Sequence, residues 1–83
     1  MEKTKFTIAE KEFTMKFPSY KRCQTVRALL GDDFQQIFDF NKSMEALKEM
    51  VDGDYTAINE DNISYGTIAK VATDFFISSR ETV

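Results

Sequence analysis

A chain of 83 residues, 42% of them hydrophobic, can bury one small core and is too short for a second independent one. It has no His, one Cys and no phosphate-binding loop, so the usual nucleophilic and metal-binding motifs are missing from the sequence. Residues 1–31 hold seven Lys/Arg and three Glu, whereas residues 32–83 hold four Lys/Arg and eleven acids, giving a net charge of −3. We therefore predict a single domain, residues 1–83, that is not an enzyme.

The first predicted element is a β-hairpin over about residues 4–17. Apolar and polar residues alternate there with a period of two, which is typical of strands. The apolar row comprises Phe6, Ile8, Phe13, Met15 and Phe17. Placing Ile8 opposite Phe13 leaves a four-residue connection, residues 9–12, and its lack of Gly favours an ordinary type I turn. Two strands alone are only marginally stable, so we expect helices to cover this row.

Three helices are predicted after Pro18, over about residues 19–30, 33–51 and 62–80. Ser19 is a suitable N-cap for the first, and Gly31 ends it. Apolar residues spaced three or four apart run from Ile37 to Val51 and favour a continuous second helix. A break near Asn41 into two shorter helices is the alternative, because Asn41 and Ser43 both prefer caps. The third could instead start near Ser64, since Gly66 is a poor helix former.

The predicted fold class is α+β, an N-terminal β-hairpin packed against three, possibly four, α-helices. The predicted core combines the apolar positions of the hairpin with those of the helices. Its members are Phe6, Phe13, Val26, Leu30, Ile37, Leu47 and Phe75. Because a domain of this size buries only about 60% of its unfolded surface, we also expect a homo-oligomer.

Potential catalytic and ligand-binding residues have simpler structural roles. Cys23 lies on the apolar side of the first helix, where a buried, inert thiol is expected. The acid pairs, such as Asp52 and Asp54, lie at helix boundaries, where capping and turn formation account for them. We therefore predict no catalytic residues, no metal site and no cofactor. The basic residues of the first helix are too few for nucleic-acid binding in an acidic chain.

Eight Phe and three Tyr make the chain rich in aromatic residues. Neighbouring apolar residues such as Phe75 and Phe76, or Ile37 and Phe38, point about 100° apart on a helix and cannot share one narrow stripe. A central helix buried on two sides is one explanation. The functional alternative is an exposed apolar patch that docks a protein partner or another copy. Phe38 and Phe76 are the predicted interface residues.

The hairpin and the start of the first helix, FTIAEKEFTMKFPSY over Phe6–Tyr20, resemble the opening of small tail assembly chaperones of long-tailed bacteriophages. The resemblance covers about the first 20 residues and the general helical layout. It implies a non-enzymatic phage protein that binds the tape-measure protein before tail-tube polymerisation, often with a longer form made by ribosomal frameshifting. No functional residue is carried over from that family.

A second hypothesis is a small phage-type inhibitor that presents its acidic helices to a basic site on a host enzyme. Either function would place the protein in the cytoplasm, the host cytoplasm if a phage encodes it. The sequence start lacks the apolar run of a secretory signal, and no apolar run approaches the ~20 residues that span a bilayer. We expect no membrane partner.

Overall fold

A computed structural model of the chain describes residues 4–81, and the side chains of residues 4–80. Within this range the chain has the predicted α+β fold, an N-terminal hairpin followed by helices. The strands are β1 (Lys5–Ile8), β2 (Lys11–Met15) and β3 (Val51–Asp52). The helices are α1 (Tyr20–Leu30), α2 (Phe40–Met50) and α3 (Tyr65–Glu81), and short 3₁₀ turns span Gln35–Phe38 and Tyr55–Ala57.

The hairpin turn is tighter than predicted. Phe6 lies opposite Phe13, so only Ala9 and Glu10 connect the strands. Both have positive φ, 52° and 64°, as in the mirror-image turn that matches the right-handed twist of paired strands. The predicted four-residue loop on a type I turn is therefore wrong. The register differs by two residues, which leaves each side chain on its predicted face, and Ile8 and Phe13 are buried.

A third strand, which the sequence did not predict, completes an antiparallel sheet in the order β1-β2-β3. Val51 pairs with Met15 and Asp52 with Thr14. Because β3 follows α2 without a loop, this pairing fixes the end of α2 against β2. The backbone N–H of Lys16 donates to the carbonyl of Met50 at 2.8 Å, at the junction of helix and strand.

Helix α1 begins and ends at residues with clear local causes. The Ser19 hydroxyl accepts a hydrogen bond from the backbone N–H of Arg22 at 3.2 Å. At the other end Gly31 has φ of 87°, a conformation that favours glycine, and its N–H donates to the carbonyl of Arg27 at 2.8 Å. The chain can therefore turn sharply after Leu30.

The predicted continuous helix over residues 33–51 is interrupted. Gln35–Phe38 forms a 3₁₀ turn, and Asp39 has extended backbone and caps α2, its carboxylate accepting from the N–H of Lys42 at 3.2 Å. The Ser43 hydroxyl is buried and donates to the carbonyl of Ile37 at 2.9 Å. These two polar side chains satisfy backbone groups that a continuous helix would pair internally. The break falls two residues before Asn41.

Helix α3 begins at Tyr65, three residues after the predicted start at residue 62 and next to the alternative start at Ser64. The Ser64 hydroxyl accepts a hydrogen bond from the backbone N–H of Thr67 at 3.2 Å.

The core lies between the sheet and the helices. Of the predicted core residues, all are buried except Phe6, which is partly buried and packs against the core. Phe17 leaves the predicted apolar row, because Pro18 ends the extended segment there, and the Phe17 side chain is 61% exposed.

Candidate protein-interaction surfaces

The large apolar side chains that remain exposed in residues 4–80 gather at two places. They are Phe17, Tyr20, Phe38, Tyr65 and Ile77. Phe17, Tyr20 and Ile77 line a groove between α1 and α3, which we name the aromatic groove. Phe38 and Tyr65 line a smaller depression, which we name the Phe38–Tyr65 pocket. Clustering of this kind marks an interaction surface more strongly than scattered exposed residues do.

The aromatic groove runs between the N-terminal half of α1 and the C-terminal half of α3 and has a volume of about 850 Å³. Its apolar walls are formed by Phe17, Pro18, Tyr20, Cys23, Phe34, Phe76 and Ile77. Helix α1 buries only Val26 and Leu30, both in its C-terminal half. The first turn of α1 therefore has no buried residue, and Tyr20 is 82% exposed.

Phe34 and Phe76 form a stacked pair in this groove. Their ring centroids are 6.3 Å apart with an interplanar angle of 16°. Phe34 has a positive φ of 59°, reached just after the turn at Gly31, and this conformation carries its ring over α3. Phe75 is buried, whereas the neighbouring Phe76 is only partly buried. The adjacent aromatic residues on α3 therefore divide between the core and the groove.

The charged residues lining the groove are mainly basic. Arg27 binds Asp32, with Nη2 to Oδ1 at 2.7 Å and Nε to Oδ1 at 3.3 Å. This hydrogen bond, and then the attraction of the Asp32 charge, raises the pKa of the Arg27 guanidinium. Both side chains are largely exposed, so the pair stabilises the fold little. Arg80 is exposed and forms no ion pair with any side chain of residues 4–80.

Cys23 also lines the aromatic groove, and it is half-buried rather than buried as predicted. Its Sγ lies 3.9 Å from the carbonyl oxygen of Pro18. Since it is the one Cys of the sequence, its thiol can report whether the groove is occupied.

The Phe38–Tyr65 pocket has a volume of about 300 Å³ and lies where the 3₁₀ turn Gln35–Phe38 meets the start of α3. The two rings meet edge to face, with centroids 4.6 Å apart and an interplanar angle of 77°. The remaining apolar walls are Ile37, Phe40, Met44, Ile63 and Ile68. Among the described residues that line it, Glu60 alone is charged. This pocket is therefore apolar with an acidic rim.

The two predicted interface residues lie on different surfaces. Phe38 is 69% exposed and lies in the Phe38–Tyr65 pocket, whereas Phe76 is partly buried in the aromatic groove. Tyr20 and Tyr65 are exposed surface residues that were not predicted from the sequence. Their position in the first turn of a helix, before the buried stripe begins, is the signal that could have identified them.

Two acidic residues of the second half of the chain, Asp39 and Asp54, accept hydrogen bonds from nearby backbone N–H groups. The Asp54 carboxylate accepts hydrogen bonds from the hydroxyl and the N–H of Thr56, and the first of these is the main reason that the pKa of Asp54 is lowered. Asn59 and Asn62 similarly bond to backbone groups of the loop before α3. In residues 4–80, no three Cys, Asp or Glu side chains are grouped closely enough to hold a metal ion.

Comparison with models of known protein families gives no match, and comparisons with curated proteins and with solved structures give none either. None of the helices in the described part of the chain has the length and apolar character needed to cross a membrane.

Proposed function

We propose that this chain is a non-enzymatic protein-interaction module that binds the apolar face of a partner helix in the aromatic groove. The observation that carries the proposal is the convergence of Phe17, Tyr20 and Ile77, all exposed, around the stacked rings of Phe34 and Phe76. Exposed apolar surface of this kind is costly in water unless a partner covers it.

The shape and charge of the groove favour an amphipathic helix as the ligand. It is bounded by two helices, and a third helix laid between them could place side chains at positions i, i+3 or i+4, and i+7 against the groove aromatics. Arg80 would then bind a carboxylate on the polar side of the partner helix. A partner with an apolar stripe and a flanking Asp or Glu therefore fits best.

The particular function we propose is that of a phage tail assembly chaperone, with the tape-measure protein as its partner. Two observations support it: the resemblance of Phe6–Tyr20 to such chaperones, and the position of Phe17 and Tyr20, at the end of that segment, on the edge of the groove. A chaperone that covers apolar helices before assembly needs binding surface and no catalytic group.

Co-expression with the tape-measure protein encoded in the same tail gene cluster tests this proposal. We expect affinity-tagged wild-type protein to retain the tape-measure protein, and Phe76→Ala and Arg80→Glu to retain much less of it. Truncating an aromatic anchor at the centre of an interface costs about 2 kcal/mol or more of binding free energy. Phe38→Ala is the matched control, because it removes an exposed ring outside the groove and should not reduce capture.

Equal capture by the wild type, Phe76→Ala and Arg80→Glu would contradict the groove as the binding surface. Failure of the wild type to retain the tape-measure protein, or the lack of such a gene nearby, would contradict the chaperone function. Circular dichroism of each variant shows whether lost capture reflects lost fold.

A further inference from the structure

The two exposed apolar surfaces carry opposite charge. Arg80 and the exposed Lys21, next to Tyr20, lie at or beside the aromatic groove, and neither forms an ion pair among residues 4–80. Glu60 lies on the rim of the Phe38–Tyr65 pocket, with Asp61 following it, and both are likewise without an ion pair in that part of the chain.

We infer that the Phe38–Tyr65 pocket of one copy binds the Tyr20 side chain of a second copy, so that copies associate head to tail. This inference concerns the chain alone and does not depend on the partner helix proposed above. It assigns a ligand, an aromatic side chain flanked by a cation, to a pocket that the proposed function leaves unused.

Size and chemistry match at this contact. Tyr20 is the most exposed of the large apolar side chains, at 82%, and protrudes from the first turn of α1. The pocket, about 300 Å³ with apolar walls and the edge-to-face pair of Phe38 and Tyr65, can admit one further ring. With Tyr20 inserted, Lys21 would lie near the Glu60 rim, where opposite charges attract.

A contact between Tyr20 and the pocket also explains why the charges differ, because it pairs the basic surface of one copy with the acidic surface of the next. In a twofold-symmetric dimer the same contact would be made twice, so both surfaces would have to lie in one interface. The aromatic groove lies at the C-terminal half of α3 and the Phe38–Tyr65 pocket at its start, so one contact leaves a surface free on each copy and copies associate head to tail. Because Tyr20 also lines the aromatic groove, a second copy and a partner helix would compete for it.

Complementation between two variants tests the inference by sedimentation velocity on purified full-length protein. Tyr20→Ala removes the inserted ring and Phe38→Ala opens the pocket, and both positions are exposed, so both variants should fold. We expect the average molecular mass of the wild type to increase with protein concentration. Each variant alone should associate at least about tenfold more weakly than the wild type. An equimolar mixture should form 1:1 dimers, because one intact pocket then meets one intact Tyr20.

A charge exchange provides a second measurement that leaves both aromatic residues in place. Glu60→Lys alone should weaken association, and Lys21→Glu combined with Glu60→Lys should restore it. A wild type that stays monomeric at all concentrations, a variant that self-associates as strongly as the wild type, or a mixture that forms no dimer would each overturn the inference. Capture of the tape-measure protein is measured separately, and Phe38→Ala, which weakens self-association, should still capture it, so failure of this inference and failure of the proposed function are distinguishable.

Discussion

Gly53 lies against the Phe13 ring. A Cβ atom added at Gly53 would come within 2.8 Å of Cγ and Cε2 of Phe13 and still closer to Cδ2. Phe13 is fully buried, and its ring also contacts that of Tyr55, with centroids 5.7 Å apart. The turn after β3 therefore closes over β2 only because residue 53 has no side chain.

Gly53→Ala should lower the free energy of unfolding by about 1–3 kcal/mol, since the Phe13 ring cannot move without disturbing the core. Gly66→Ala is the matched control: its added Cβ would contact only the Ser64 hydroxyl at 3.8 Å, and alanine should stabilise α3 by about 0.5–1 kcal/mol. Urea denaturation measures both. Equal effects at the two positions would contradict the close packing of Gly53 on Phe13.

A change in the hairpin turn should stabilise the protein. Ala9 and Glu10 both have positive φ, which costs a non-glycine residue about 1–2 kcal/mol. Replacing the pair by Asn-Gly, through Ala9→Asn and Glu10→Gly, should raise the free energy of unfolding by about 1 kcal/mol. Thermal unfolding followed by circular dichroism is a suitable measurement. If residues 9–12 instead formed a four-residue loop on an ordinary type I turn, Gly at position 10 would destabilise the protein. A lower unfolding temperature would therefore contradict the two-residue turn.

The sequence was sufficient to predict the fold class and most of the core, because both depend on periodicity. Phe13, Val26 and Phe75 recur at strand or helix spacing, and all are buried. The turn at Ala9 could not be predicted, because the tight turn there is imposed by strand twist against the local preference of Ala and Glu. Strand β3 has only two residues, too few for a period, and depends on pairing with β2.

The interaction surfaces were only partly predictable for a related reason. The angle between Phe75 and Phe76 on a helix indicates that one of them leaves the main stripe, and the structure places Phe76 in the groove. Periodicity does not tell which neighbouring element supplies the opposite wall. Phe34 reaches the groove through its left-handed backbone conformation, which follows from the tight turn after Gly31 and from no pattern in the sequence.

The break between the 3₁₀ turn and α2 depends on Ser43. Ser43→Ala should lower the free energy of unfolding by about 1–3 kcal/mol, because the carbonyl of Ile37 would lose its buried hydrogen bond. Asn41→Ala, at an exposed position of the same helix, is the control and should change stability by less than about 0.5 kcal/mol. Chemical denaturation compares the two. A Ser43→Ala variant as stable as Asn41→Ala would show that the Ile37 carbonyl finds another partner.

Alkaline pH should weaken the contact between β3 and the following 3₁₀ turn. The pKa of Tyr55 is raised above 10.0, first by burial and then by the charges of Asp52 and Glu49, and its hydroxyl donates to the carbonyl of Val51. Because the folded state holds the Tyr55 proton more tightly than the unfolded state does, the neutral hydroxyl contributes its full stability below pH 10. This contribution is lost as pH rises through the folded-state pKa. Tyr55→Phe keeps the ring packed on Phe13 and should lack this part of the alkaline loss. Urea titrations from pH 9 to 11 compare it with the wild type, and identical slopes would contradict the assignment.

The central claim, that a partner helix occupies the aromatic groove, is tested most directly by the alkylation rate of Cys23. The thiol is half-buried in the groove wall, and the chain has no other Cys. A tape-measure protein without Cys keeps the signal specific, and mass spectrometry follows addition of N-ethylmaleimide with time. We predict that Cys23 reacts readily in the free protein and several-fold more slowly in the complex. An unchanged rate in a fully formed complex would contradict the account, because the partner would then be bound elsewhere.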